Sequence, residues 1–337
     1  MENFKHIQTA HCENGVTVNL LQRQGLDFMN EPLAFGIGSG LFYIHIPFLK
    51  INKGPAISFR SMPGAIFKRT CKMLEIDVTK KKFSSHEEAQ KFLDTEIQKG
   101  HPVGCQVGVF HLMYFPKAYR FHFNAHNLIV YGKEGDNYLI SDPIMEETTT
   151  LTTAELDKVR FAKGPLAPKG HIYYPNDAKD ISDEILRNAI IKGIKHNTRD
   201  MIHIPSRRVG TKGINYTASQ IRKWRDKHGP KQAGLFLGQI VRMQEEIGTG
   251  GGGFRFLYAA FLEQAARILQ EDKLMGISEQ FSKAGDLWRD SAVQMAGIYK
   301  GRITSQKDFE DSADIMNEIA ALEKHAFQSL GKLKLRS

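Results

Sequence analysis

The chain has 337 residues and a formal net charge of +9, and its composition is 41% hydrophobic and 25% charged. This length predicts about two domains, and the composition is typical of globular proteins. Its three cysteines cannot form a disulfide framework and lack the spacing of a metal site. Residues 1–15 lack the apolar stretch of a signal peptide, and no apolar run is long enough to span a membrane. We therefore expect a cytoplasmic protein without membrane contacts, bound metal or cofactor.

The basic excess is spread along the chain instead of being concentrated in one arm. A mildly basic surface suits an acidic protein partner or an anionic substrate. No recognisable nucleic-acid-binding motif is present, so we do not expect a nucleic-acid partner.

Residues 1–175 mix short apolar runs with turn signals, and they predict an α+β domain. The predicted elements, in chain order, are a helix from Cys12 to a stop at Gly25, a strand over 41–49, a helix over 63–76, a helix from Ser85 to Gly100, a strand or strand pair over 101–115, and two strands over 122–132 and 137–143 with a polar loop between them. Ser85 followed by Glu88 has the spacing of a capping box.

From about Ser182 the apolar residues recur at helical spacing in six segments joined by short loops, which predicts an all-α bundle. We predict domains at 1–175 and 176–337, with the polar stretch PNDAKD at 175–180 as the linker. Apolar faces on many of the helices are compatible with a homodimer.

The stretch HNLIVYGKEGDNYLISDP (126–143) predicts a hairpin that brings two chemically useful side chains together. If the hairpin is symmetric about Glu134, His126 and Asp142 lie directly opposite each other and point to the same face. A carboxylate on one imidazole nitrogen fixes the tautomer and leaves the other nitrogen as a base.

Cys12 is the candidate nucleophile, because a helix N-terminus lowers the pKa of a thiol. Gln8 and the backbone N–H of Cys12 are candidate donors to an oxyanion. Each of these residues alone has an ordinary structural explanation, and the prediction depends on the set. His122 is the rival base, since alternation along a strand would place it on the same face as His126. We interpret the other cysteines, Cys71 and Cys105, as core residues.

Three stretches together resemble a known family: HCENG at 11–15, EPLAFGIGSGLFYI at 31–44 and the hairpin at 126–143. They are similar to the N-terminal domain of butirosin biosynthesis protein H, an acyltransferase family with a papain-like fold that is related to bacteriocin-leader-processing cysteine peptidases. The stretch IGTGGGGFRFLYAAFLEQAA (247–266) is similar to the helical domain of unknown function that often follows this domain. The resemblance covers nearly the whole chain.

The resemblance implies a nucleophile at Cys12, a base at His126 and an acid at Asp142. It also implies acyl transfer from the thioester of an acyl carrier protein, or of CoA, through a cysteine-bound acyl group to a small-molecule amine or alcohol in specialised metabolism. Exchange between thiols is nearly balanced in energy, so this chemistry suits thioester substrates.

Three other interpretations stay open. The same triad would serve a peptidase, amidase or thioesterase. The fold would also suit a non-catalytic binding or assembly protein with an unreactive cysteine. Autocatalytic maturation that exposes Cys12 as an N-terminal nucleophile ranks last.

The glycine run GTGGGGF (248–254) precedes a strongly helical segment. Bare N–H groups at Gly250 and Gly251, together with Arg255, are candidate contacts for the phosphate of a phosphopantetheine arm. A flexible loop between helices is the alternative. The run matches neither the P-loop nor the dinucleotide fingerprint, because it lacks the Lys-Ser/Thr ending and the preceding strand.

Overall fold

A computed structural model describes residues 4–51, 54–178 and 180–336. The helices are α1 (Cys12–Arg23), α2 (Glu31–Ile37), α3 (Ala65–Met73), α4 (His86–Gln98), α5 (Thr153–Arg160), α6 (Asp183–Thr198), α7 (Gly210–Val241), α8 (Arg255–Leu269), α9 (Lys273–Tyr299) and α10 (Gln306–Lys332). The strands are β1 (Leu41–Ile51), β2 (Gly54–Arg60), β3 (Val78–Lys81), β4 (Val103–Val107), β5 (His126–Glu134), β6 (Asn137–Ser141), β7 (Thr149–Thr152) and β8 (Ile172–Pro175).

The chain divides into two compact units, residues 1–34 with 66–182 and residues 35–65 with 183–337. The predicted first domain, 1–175, included residues 35–65, whereas in the structure these residues cluster with the helices of the second unit. The reason lies in the apolar residues of the β1–β2 hairpin, which pack into the helical core. Tyr43 and Phe59 contact each other edge to face, and both rings contact that of Trp288. Of the predicted linker, residue 179 lies outside the described part of the chain.

The first unit is built on a six-stranded sheet in the order β3-β8-β4-β5-β6-β7, in which every pair is antiparallel. A core of apolar side chains from β4 and β5 packs with side chains of α4 and α5. Helix α1 contacts β4, β5 and β8. Its residues Val16 and Leu20 are fully or almost fully buried, so the helix is held by its apolar side chains.

The local signals in this unit produce the predicted helix ends. Helix α1 begins at Cys12 and ends just before Gly25, whose φ of +88° is a conformation that glycine adopts without strain. The Ser85 hydroxyl accepts a hydrogen bond from the N–H of Glu88 at the start of α4, which is the Ser85 half of the predicted capping box. Gly100, at the end of that helix, has a φ of +82°.

The second unit consists of five helices and the β1–β2 hairpin among its described residues. The range of α7 contains two helical stretches that meet at a kink, where Gly229 before Pro230 has non-helical geometry (φ 75°), in agreement with the two helices predicted over 217–229 and 231–248. Proline at this point removes a backbone donor, which explains the kink. None of the helices in the described part of the chain has the length and apolar character needed to cross a membrane.

Candidate active site

The start of α1 is fixed by a set of hydrogen bonds from the residues around Cys12. The side chain of His11 caps the helix by accepting from the N–H of Asn14. The Glu31 carboxylate accepts from the N–H groups of Ala10 and His11 and from the Asn14 amide. Cys12 therefore occupies the first turn of a helix whose N-terminus is held in place, a position that favours a thiolate.

Two neighbours of Cys12 in the stretch HCENG connect α1 to the rest of the unit. Glu13 is buried and its Oε1 accepts hydrogen bonds from the N–H groups of Ile66 and Phe67 at the start of α3. A Cβ atom at Gly15 would lie 2.3 Å from Cβ of Pro143, so glycine allows α1 to lie directly against the chain after β6. The stretch therefore has structural roles beside the thiol.

His126 and Asp142 are buried and hydrogen-bonded, with 2.7 Å between His126 Nε2 and Asp142 Oδ2. The predicted contact is therefore present, but the register predicted for the hairpin is wrong. The strands turn between Glu134 and Asn137, and the pairing ends with Ile129 opposite Ser141. Continuing that register places Asp142 opposite Leu128, diagonal to His126.

A bulge in β5 is what brings the two side chains to the same face. The paired residues shift register between Val130 and Gly132, so Tyr131 is the extra residue of a bulge. Without it Asp142 would face Ile129, and its side chain would point away from His126, because neighbouring residues of a strand alternate between faces. The bulge therefore brings His126 and Asp142 together, a contact that a symmetric hairpin was predicted to make.

Burial and two neighbours act in opposite directions on His126. Burial lowers its pKa, but the charges of Asp142 and Cys12 and hydrogen bonds to both side chains raise it to about 10. Because Nε2 is taken by Asp142, Nδ1 is the nitrogen left for the thiol. A buried imidazole between a carboxylate and a thiol is the arrangement that supports nucleophilic cysteine chemistry.

Two residues that the sequence analysis missed support this pair. The Tyr114 hydroxyl donates to the same Asp142 Oδ2 at 2.7 Å, so one oxygen accepts from two groups. Burial and the adjacent Asp142 raise the pKa of Tyr114 well above its usual value, so it stays a hydroxyl donor. The ring of Phe115 lies edge-on to the imidazole of His126.

Asn127 is a third missed residue, and it contacts the thiol itself. Its side-chain nitrogen lies 3.8 Å from Sγ of Cys12 and 3.2 Å from the carbonyl oxygen of Ala125. Its side-chain oxygen accepts from the Tyr173 hydroxyl at 2.7 Å. The sequence signal for Asn127 was its position next to His126 on β5. Its partner Tyr173 could not be found in this way, because the sequence analysis did not predict β8.

The remaining residues proposed around the nucleophile are arranged differently. Gln8 lies in the extended segment before α1, where it is exposed, and no hydrogen bond within the described residues connects its side chain to Cys12. His122 is exposed in a loop and stacks on Phe110. The strand alternation that made it a rival base is absent, because β5 begins only at His126.

The other cysteines lie in the core, as predicted. Cys71 and Cys105 have no exposed surface, whereas Cys12 is 8% exposed. Burial raises the pKa of Cys71 to about 12 and that of Cys105 to about 11. Among the three, only Cys12 combines residual access with a neighbouring base.

The phosphate site predicted at Arg255 is wrong, because its guanidinium is fully buried and already bonded. Nε and Nη2 donate to the two carboxylate oxygens of Glu323, and Nη1 donates to the carbonyl oxygen of Gly253. A phosphate would have to displace a charged partner in the interior.

The glycine run itself is bonded internally as well. The N–H of Gly251 donates to the Thr249 hydroxyl, and that of Gly252 donates to the Glu245 carboxylate, a negative group that would repel phosphate. Gly250 is exposed. Gly251 has a φ of +85°, and Gly252 has a φ of +56° and lies so close to the backbone of Gly285 that a Cβ atom would be 3.0 Å from its Cα. Positive φ angles and close packing therefore explain these glycines.

Comparisons with known proteins agree with this architecture. The family model described as "Butirosin biosynthesis protein H, N-terminal" matches residues 11–143, and the model "Domain of unknown function (DUF4872)" matches residues 154–330. The first unit, with a cysteine at the start of a helix that packs on an antiparallel sheet, has an α+β fold and is followed by a helical region.

A solved structure from Bacillus anthracis, described as a C39-like peptidase, is 15% identical, with a TM-score of 0.36. The match covers 52% of this chain and 96% of that one. No curated protein matches the chain.

Proposed function

The chain belongs to the family in which the butirosin biosynthesis protein H N-terminal domain is joined to this helical domain of unknown function, and from that premise we propose that it is a cysteine-dependent acyltransferase. The donor is an acyl thioester of a carrier protein or of CoA, and the acceptor is a small-molecule amine or alcohol. One observation carries the proposal: a buried imidazole, His126, hydrogen-bonded to Asp142 on one side and to Cys12 on the other.

In the first half-reaction the Cys12 thiol gives its proton to His126, and the resulting thiolate attacks the thioester carbonyl carbon. The carbonyl π electrons move to oxygen, and the tetrahedral oxyanion then collapses and breaks the carbon–sulfur bond of the donor. His126 gives the proton to the departing thiolate, which leaves as the thiol. The acyl group is left on Cys12, and the free donor thiol is the first product.

In the second half-reaction the acceptor attacks the acyl-cysteine. His126 removes the proton from the attacking nitrogen or oxygen and returns it to Cys12 as the thiol leaves. Asp142 keeps the ring in one orientation and stabilises the imidazolium that forms in both halves. The same residues serve twice, so the two half-reactions require no cofactor.

Acyl transfer is favoured over hydrolysis by the family match, whose name refers to biosynthesis. Thioester chemistry fits a cysteine, because attack of one thiol on the thioester of another is close to isoenergetic. Hydrolysis by the same three residues remains the competing reaction, and the acceptor separates the two.

Intact-mass measurement after brief exposure to a panel of acyl thioesters tests the proposal. We expect an acyl-sized mass gain on the wild type and none on Cys12→Ala, while Cys71→Ala, a matched control from the core, still gains the mass. Addition of candidate amines or alcohols should then release the acyl group as an amide or ester.

Two results would contradict the proposal. Rapid loss of the adduct to water in the presence of every acceptor would indicate a hydrolase. No adduct with any donor, together with slow alkylation of Cys12 at neutral pH, would indicate a binding protein that has kept the fold.

A further inference from the structure

Asn127 has a polar side chain beside the thiol and does not belong to the set of Cys12, His126 and Asp142. Its side-chain nitrogen is 3.8 Å from Cys12 Sγ, within reach of a hydrogen bond to sulfur, and the residue is buried. A buried amide is costly unless its donors and acceptor are paired, so each of its partners has to be identified.

The partners fix which way the amide points. The carbonyl oxygen of Ala125 can only accept, so the atom 3.2 Å from it is the nitrogen. The Tyr173 hydroxyl donates to the amide oxygen at 2.7 Å. With one N–H on Ala125 and the oxygen on Tyr173, the second N–H is left directed at Cys12 Sγ.

The Tyr173 hydroxyl is itself held in place. Tyr173 lies on β8 opposite Gly104 of β4, and a Cβ atom at Gly104 would lie 2.7 Å from the tyrosine ring. The ring also contacts that of Phe67 at a centroid distance of 4.6 Å. Glycine on one side and a ring on the other position the hydroxyl that orients Asn127.

We propose that Asn127, oriented by Tyr173, is a catalytic residue that stabilises the thiolate of Cys12 by donating a hydrogen bond to its sulfur. A hydrogen bond to an ionised group favours the ionised form and is stronger than one between neutral groups. The proposal extends the proposed function, because it assigns to Asn127 the donor role for which the sequence analysis considered Gln8.

Other ionisable groups also lie near the thiol, and each makes its own hydrogen bonds. His126, with Asp142 behind it, bonds to Cys12. On α1 itself, His11 accepts from the N–H of Asn14, and Glu13 is bonded to the N–H groups at the start of α3. Replacing Asn127 leaves all of these groups in place.

The experiment measures the rate of Cys12 alkylation by iodoacetamide from pH 5 to 10, with the modified residue identified by peptide mass. In Asn127→Leu we expect the midpoint to move up by about one pH unit or more, and the rate below the midpoint to fall about tenfold or more. Tyr173→Phe keeps the ring and loses the hydroxyl, so a smaller shift in the same direction is expected.

Asn124→Ala is the matched control. Asn124 is also buried and close to His126 in the chain, but its amide nitrogen donates to the carbonyl oxygens of Lys163 and Pro165. The proposal is overturned if folded Asn127→Leu and Tyr173→Phe both keep the wild-type midpoint, or if Asn124→Ala shifts it as much. Should Asn127→Leu fail to fold, Tyr173→Phe decides.

Alkylation needs no acyl donor, so the result is independent of the acyltransferase assignment. A shifted midpoint without any acyl adduct would keep the role of Asn127 and reject the reaction. An unshifted midpoint with normal acyl transfer would do the reverse.

Discussion

Each of the two units buries an acid–base pair, and the pairs differ in what is left unbonded around them. In the helical unit Arg255 and Glu323 have no exposed side-chain surface and are joined by two hydrogen bonds. Trp288 donates to the same carboxylate, and the guanidinium lies over its indole ring. The groups around this pair are an indole N–H, a backbone carbonyl and aromatic rings, and none of them gains or loses a proton at ordinary pH.

The pair of the first unit, His126 and Asp142, has a partner that does change state. One nitrogen of the imidazole bonds to the carboxylate, and the ring also bonds to the Cys12 thiol, which can lose its proton and form covalent bonds. A buried charge pair is therefore weak evidence for a site, because structural pairs are buried as well. What distinguishes the two is whether the pair is connected to a reactive atom.

Asp142→Asn should give the largest effect, since it breaks the reactive pair. We expect kcat to fall roughly 1,000- to 10,000-fold, because an amide favours the wrong tautomer and does not stabilise the imidazolium. Steady-state acyl transfer with saturating donor and acceptor measures this. The control is Asp94→Asn on the same unit, whose carboxylate bonds to Lys133 and Tyr138; equal losses in both variants would contradict the assignment.

The same variant should change how stability depends on pH. The folded-state pKa of His126, about 10, lies above its ordinary 6.5, so its contribution is fully present below pH 6.5 and lost as the pH rises through about 10. In Asp142→Asn only burial and Cys12 act on the ring, so most of that dependence should disappear. Urea unfolding at pH 6, 8 and 10 compares the two.

Glu323→Ala breaks the fixed pair and leaves a charged guanidinium in the core. We expect the free energy of unfolding to fall by about 3–5 kcal/mol, measured by urea denaturation. Replacing both partners, Arg255→Met with Glu323→Leu, should recover most of the loss. The control is Glu263→Ala, which breaks an exposed pair with Arg267 and should cost at most about 1 kcal/mol.

If Glu323→Ala lowers the free energy of unfolding by less than about 1 kcal/mol, Arg255 does not depend on this carboxylate. The ion pair with Glu323 would then no longer exclude the predicted phosphate contact at Arg255.

Local signals made part of this comparison predictable from the sequence. The start of α1 at Cys12, its stop at Gly25 and the cap at Ser85 depend on residues within one helical turn, and the structure has each of them. The contact of His126 with Asp142 was predicted through a symmetric hairpin. It forms through a different register because of the bulge at Tyr131, and the local signal for that bulge, Gly132 inside the strand, was not used in the symmetric alignment.

Long-range partners made the rest unpredictable. Glu323 is 68 residues from Arg255, so the sequence showed a cation beside glycines without the carboxylate that neutralises it. Tyr173 orients Asn127 from a four-residue strand, too short to show periodicity. The hairpin of β1 and β2 belongs to the helical unit because of side-chain packing between residues far apart in the chain. Local patterns of apolar and polar residues do not show such packing.

Tyr114→Phe should give the smallest effect and tests how finely the reactive pair is set. The tyrosine hydroxyl shares Asp142 Oδ2 with His126, so its removal concentrates the carboxylate's charge on the imidazole. We expect the pKa of His126 to rise, and the basic limb of the pH–rate profile to move up by roughly half to one pH unit. Tyr174→Phe, which removes a similar buried donor from Glu96, should leave the limb unchanged. A limb that stays in place, or moves down, would mean that Tyr114 serves packing alone.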